Sequence, residues 1–175
     1  MIIELIKYLV RFILILLFQL LIVNNIELNT YVNPYIYIVF ILLLPVSMKP
    51  WVVVVISFFV GMAMDTFSST VGLHMAATVF MGYIRGFYLQ FATSREDMQS
   101  RIEPNISRKG LVWFLIYAIL MIFLHHLVLF HLEIYGFREF FRTMGRVLVS
   151  TFFSVIIITI GQLLFYKSGK GSRNE

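Results

Sequence analysis

Cysteine is absent from this chain of 175 residues, and charged residues make up only 13% of it. Without thiols there are no disulfides and no thiolate metal sites. With so little charge the chain is neither disordered nor an ordinary water-soluble domain. The sequence also has no G-x-S-x-G nucleophile turn, no H-E-x-x-H helix and no phosphate-cradling P-loop. A single carboxylate within an apolar run, Asp65, cannot form an aspartyl dyad. These absences argue against an enzyme and imply no cofactor. No internal repeat or low-complexity tract organises the chain.

What remains is apolar: 60% of residues are hydrophobic and the mean hydropathy is +0.90. Short polar segments interrupt these runs, so the lipid bilayer is the solvent. A spanning helix takes roughly 20 apolar residues, which leaves room for about six. The expected fold is an all-α integral membrane protein, a single six-helix transmembrane bundle with both termini cytoplasmic.

Six spans are expected at residues 5–23, 34–48, 51–69, 72–91, 111–130 and 147–166. The first resembles the start of a signal peptide, but it ends Leu21-Ile22-Val23-Asn24-Asn25 without the small residues of a cleavage site, and reads as a retained helix. Asn33 and Pro34 stand as cap and first residue of the second span, with a kink at Pro45. Pro50 and Trp51 open the third. Ser68-Ser69-Thr70-Val71-Gly72 supplies an outer turn between spans three and four. Residues 92–110 form the main cytoplasmic loop.

Basic residues fall unevenly across this topology. Lys7, Arg11, Lys49, Arg85, Arg95, Arg101, Arg108, Lys109, Lys167, Lys170 and Arg173 lie on the proposed inner side, against Arg138, Arg142 and Arg146 outside. Positive charge resists translocation, which sets the orientation. The net charge of +5 is explained by this pattern and does not call for nucleic acid. Arg85, between Gly82 and Gly86, reads as a snorkelling side chain at the inner end of span four.

The three outer arginines repeat every fourth residue, with Phe137, Phe140, Phe141 and Met144 on the complementary face. An interfacial amphipathic helix is expected over residues 136–146. It serves either as a collar leading into span six or as a partner-docking surface carrying Phe137, Arg138, Phe140, Phe141, Arg142 and Arg146.

Asp65 draws attention because carboxylates within spans are costly and often functional. At about 1.5 Å per residue from Pro50 it lies about 22 Å along a core roughly 30 Å thick. Gly61 is one turn earlier on the same face, and Gly72 and His74 begin the next helix. Asp65 then either accepts hydrogen bonds from the turn hydroxyls and the free N–H groups opening span four, or serves proton coupling or ligand binding. His125, His126 and His131 lack the same-face spacing of helical zinc ligands, and read as interfacial side chains ending span five.

Gly61-x-x-x-Asp65, the Ser/Thr turn, Gly72-Leu73-His74-Met75-Ala76-Ala77 and Gly82-Tyr83 together resemble MreD, the rod shape-determining membrane protein family. The motif covers residues 59–83, and the six-span organisation covers the whole chain. The resemblance implies a bacterial inner-membrane protein that binds an MreC-like bitopic partner and, through it, MreB filaments, RodA and a penicillin-binding transpeptidase. Its role would be scaffolding of peptidoglycan synthesis. The rival reading is the substrate-binding S component of an energy-coupling factor vitamin transporter, also a small basic six-helix protein. Such components commonly carry small residues for helix docking in their first span, whereas residues 5–23 contain no Gly or Ala. A vitamin would need several convergent polar groups. Beyond Asp65 only Gln19, Thr78, Thr159 and Gln162 are available, and these read as helix-to-helix hydrogen-bonding groups. A lipid or solute carrier is the third possibility.

Overall fold

The computed structural model describes residues 2–25, 32–134 and 139–164, and the regular structure among them is entirely helical. Long helices form where apolar residues run without internal proline: α1 (Ile2–Leu21), then, after the short α2 (Val39–Leu42), α3 (Pro50–Ser68), α4 (Leu73–Ala92), α7 (Leu111–Glu133) and α8 (Phe140–Leu164). The small α5 (Arg95–Gln99) and α6 (Ile106–Lys109) sit in the polar loop between α4 and α7. Among the described residues, four helical stretches are long and apolar enough to cross a membrane: 2–25, 50–68, 111–133 and 140–164. This is a multi-pass membrane protein. The helix α4 matches them in length, but it carries His74, Thr78, Arg85 and Gln90 and is not among the four.

Pro50 occupies the first turn of α3, where its missing N–H leaves nothing unsatisfied. The helix ends at Ser69, in the left-handed conformation at φ 54°, and Gly72 at φ 79° turns the chain into α4. The two helices pack closely because small residues meet at their seam. A Cβ added to Gly61 would lie 2.4 Å from the Met75 Cα and 2.3 Å from the Thr78 Oγ1, and one on Gly82 would lie 2.3 Å from the Ser57 Oγ. The Thr78 hydroxyl uses this proximity to donate to the Ser57 carbonyl at 2.8 Å.

The expected second span is not a helix. Residues 32–36 are irregular, 37–38 turn, α2 supplies a single helical turn, and Pro45 ends it. Asn33 caps nothing, and its N–H donates instead to the Ser150 Oγ at 3.1 Å. The segment is nevertheless apolar and buried from Ile36 to Leu44, because it threads the middle of the bundle. Backbone outside a helix must find partners for its own polar groups, and inside an apolar bundle only side chains can provide them. Gln19 of α1 accepts from the N–H groups of Ile36 (2.6 Å) and Tyr37 (3.3 Å) and donates to the Pro34 carbonyl at 3.1 Å. Ser154 of α8 accepts from the Tyr35 N–H at 3.0 Å. The Tyr117 hydroxyl donates to the Leu42 carbonyl at 3.0 Å, and Arg85 donates to the Leu44 carbonyl.

Arg85 therefore does not snorkel. It is 1% exposed, and its Nε also donates to the Tyr117 hydroxyl at 2.9 Å, so that this pair holds the end of the threaded segment. From there the Val46 N–H reaches the Ile102 carbonyl of the polar loop at 2.9 Å. The chain thus returns from the end of the molecule that carries the α3–α4 turn to the end that carries the loop.

The remaining helices frame this segment. The helix α1 lies on the outside, with only Leu16 and Gln19 buried, and is tied to the loop by Arg11–Glu103 (2.8 Å) and Arg101–Glu4 (3.3 Å). In the loop, Ser94 and Asn105 cap α5 and α6 by accepting from the N–H groups of Asp97 and Arg108. Lys109 bonds Asp97 at 2.5 Å. The expected separate interfacial helix is also revised: from Phe140 its residues are the opening turns of α8, which continues without a break to Leu164. Phe137 and Arg138, like the tail residues Lys167, Lys170 and Arg173, lie outside the described residues.

Candidate functional site

The α3–α4 turn brings together all four residues singled out around Asp65. Gly61 permits the approach of the two helices, Asp65 lies at the last turn of α3, and Gly72 orients the start of α4. Gly72 has no side chain with which to cap α4, so Asp65 caps it across the turn. Its Oδ1 accepts from the Thr70 hydroxyl at 2.6 Å and the His74 N–H at 3.0 Å, and its Oδ2 accepts from the Met75 N–H at 3.0 Å. A carboxylate against the open N–H groups of a helix is stabilised both by the bonds and by the helix dipole. Of the two arrangements open to Asp65 from sequence, this is the hydrogen-bonded one.

His74 carries the cluster inward. Its Nδ1 lies 3.0 Å from the Tyr37 hydroxyl, which lies 2.8 Å from the His125 Nε2 of α7. A phenol has one hydrogen to donate, so at most one of these imidazole nitrogens accepts from it and at least one donates to it. The three residues are buried and come from three different parts of the chain.

Beside them, the His126 Nδ1 lies 2.8 Å from the Ile122 carbonyl. A carbonyl only accepts, so this contact calls for the hydrogen on Nδ1. Both the His126 Nε2 and the His125 Nδ1 are buried without a side-chain hydrogen-bond partner among the described residues. Tyr35 stacks on the His126 ring at 5.6 Å and meets His74 edge-on at 5.0 Å, closing the group into an aromatic nest. His125 and His126 are thus core residues, contrary to the interfacial placement expected for them. No group of three metal-ligating side chains is arranged to hold an ion among the described residues.

The residues offered as a docking face divide. Phe141 is 90% exposed and Phe140 partly so. The arginines are engaged: Arg142 pairs with Glu139 at 3.1 Å, and Arg146 pairs with Glu133 at 2.9 Å while lying over the Phe130 ring at 4.1 Å. Arg146 therefore closes the α7–α8 turn.

Sequence reasoning missed two separate groups, Tyr37 with His74 and His125, and Arg85 with Tyr117, because their contacts join residues 32 to 88 positions apart. Of the groups expected to bond helix to helix, Thr78 does so, Gln19 bonds the non-helical segment instead, and the buried Thr159 hydroxyl finds no partner among the described residues. Ser150 and Ser154 carried a usable signal: two hydroxyls one turn apart on an apolar helix mark a face turned to something polar. No protein-family model, no curated protein and no solved structure matches this chain.

Proposed function

We propose that this chain is a non-enzymatic membrane scaffold of the MreD kind, which binds a bitopic MreC-like protein of the wall-elongation complex and through it supports peptidoglycan synthesis and cell shape. The observation that carries this reading is the state of Asp65. The residues of the resemblance form a closely packed helical hairpin, and both oxygens of the Asp65 carboxylate are occupied in fixing its turn. A group held in this way serves to shape the turn and the surface that the turn presents.

In this reading the threaded segment and the five long helices cross the bilayer six times, with both termini and the polar loop on the cytoplasmic side of a bacterial inner membrane. The direction of the chain supports it. Arg11 and Arg101 tie the first half of α1 to the loop end, and α8 runs antiparallel to α7, since Arg146 meets Phe130 while Thr151 approaches His126. The test is affinity purification of the tagged chain from its native membrane after brief crosslinking, with mass spectrometry of what is retained. An MreC-like protein with wall-elongation enzymes is the expected result.

A second reading, the S component of a vitamin transporter, is favoured by one observation: the unpartnered nitrogens of His125 and His126 beside Tyr35, which a small polar ligand would satisfy. Recovery of paired ATPases, a coupling subunit and a stoichiometric small ligand would replace the scaffold by this reading.

A further inference from the structure

A cleft of about 680 Å³ lies at the loop end of the molecule, away from the aromatic nest. One wall is the face of α1 that carries Glu4, Lys7, Tyr8 and Arg11, whose spacing puts them on adjacent turns of a single stripe. The other wall is made by Pro45, Ser47 and Met48 and by Arg101 and Glu103 of the polar loop.

Its charges do not cancel. Glu103 is taken by Arg11 and Glu4 by Arg101, while Lys7 pairs with no carboxylate among the described residues. The cleft therefore holds one unbalanced positive charge, with the hydroxyls of Tyr8 and Ser47 as neutral donors beside it. Each guanidinium has five N–H groups, and a single carboxylate contact leaves donors over. This donor set suits a phosphate, an anion rich in acceptor oxygens.

The surroundings decide what the phosphate is attached to. Ile3 and Ile6 flank Lys7 and are exposed, and the stripe that descends from Lys7 along α1 consists of Val10, Leu14 and Leu17, all exposed. A soluble anion gains nothing from such a border. An amphiphile does: its headgroup meets the lysine while its chains follow the apolar stripe. We propose that this cleft binds the phosphodiester headgroup of a membrane glycerophospholipid, with the acyl chains lying along α1.

The experiment is native mass spectrometry of the detergent-purified full chain, titrated with dioleoyl phosphatidylglycerol. Lys7→Gln and Lys7→Glu are compared with the natural chain and with Arg108→Gln, a loop variant outside the cleft. A near-surface lysine typically contributes enough to change anionic-lipid affinity about fivefold, so Lys7→Gln is expected to weaken retention by about that factor and Lys7→Glu by more. Arg108→Gln should leave it unchanged. Lys7 has no carboxylate partner among the described residues, so the thermal unfolding midpoint of Lys7→Gln should match that of the natural chain. Equal retention by both Lys7 variants would overturn the assignment. So would displacement of the lipid by inorganic phosphate at equal concentration, because the site would then belong to a soluble anion.

Discussion

The α3–α4 pair and the segment 32–48 are both largely apolar and both contain a proline and a turn, yet one is helical and buries only its seam while the other is not helical and is buried from Ile36 to Val46. In the pair, each helix satisfies its own interior backbone, Asp65 of α3 caps the open end of α4, and glycine and small residues let the two surfaces meet. In the segment, backbone groups are satisfied by Gln19, Arg85, Tyr117, Ser150 and Ser154, side chains that come from α1, α4, α7 and α8. The first kind of order is local in sequence and the second is not. A buried non-helical chain is stable in this setting only because it is enclosed by protein on every side.

This contrast can be broken at either member. The largest effect is expected at the helical pair. Gly61→Val would drive a branched side chain into the Met75 backbone, which cannot yield as a flexible side chain can. A loss of at least about 3 kcal/mol is expected, since overpacking and helix separation act together. Size-exclusion chromatography with thermal melting in detergent would show little or no folded protein. Substitution of Gly145, whose Cβ would meet nothing within 4 Å, provides the control: Gly145→Ala should hold or raise the midpoint.

The next effect is at the threaded segment. Gln19→Leu fills the same space but strands two N–H groups and one carbonyl. Buried unsatisfied groups cost about 1–3 kcal/mol each, and relaxation will recover part of that, so about 2–4 kcal/mol is expected. The denaturant midpoint should fall, with hydrogen exchange rising first over residues 32–38. An unchanged exchange pattern there would mean that Gln19 does not hold the segment.

Asp65→Asn should do less. The amide keeps one acceptor oxygen but loses the charge that favours the α4 N-terminus, a difference of about 1–2 kcal/mol. A melting curve lowered by a few degrees, with partner recovery retained, fits a structural carboxylate. Full stability with partner recovery abolished would instead make Asp65 a contact residue.

The smallest effect lies outside the bundle. The bond from Lys109 to Asp97 holds that carboxyl below its usual range near 3.8, and Ser94 adds to this. A depressed carboxylate contributes stability that is present above its unfolded value and lost as pH falls through the lower folded value. Trp113 lies beside Lys109, so its fluorescence reports the loop once Trp51 is replaced by Phe. The signal should be flat near neutrality and change below pH of about 4, and Asp97→Asn should remove that change.

Much of this architecture was open to reading from sequence because the relevant signals lie close together. Pro50 marks the start of α3, the Ser68–Gly72 cluster marks its turn, and the Gly61–Asp65 spacing marks the seam. The cap formed by Asp65 on α4 was legible for the same reason: its partners are five to ten residues away. The conformation of residues 34–48 was not legible. An apolar run between two prolines looks the same whether it is lipid-facing helix or enclosed chain, and the deciding side chains lie up to 119 positions away. The interfacial helix failed differently, since nothing near Gly145 stops a helix and amphipathic turns simply merged with an apolar span.

The central claim, that a non-helical segment threads the bundle, is tested most directly by carbon chemical shifts. Solid-state NMR of the chain in bilayers, with isoleucine, valine and tyrosine labelled, reads backbone conformation at Tyr35 to Val46. The account predicts non-helical Cα shifts at Tyr35 and Ile36, a brief helical stretch at Val39 and Ile41, and loss of helicity again by Val46. Uninterrupted helical shifts from Tyr35 to Val46 would contradict it and restore an ordinary second spanning helix.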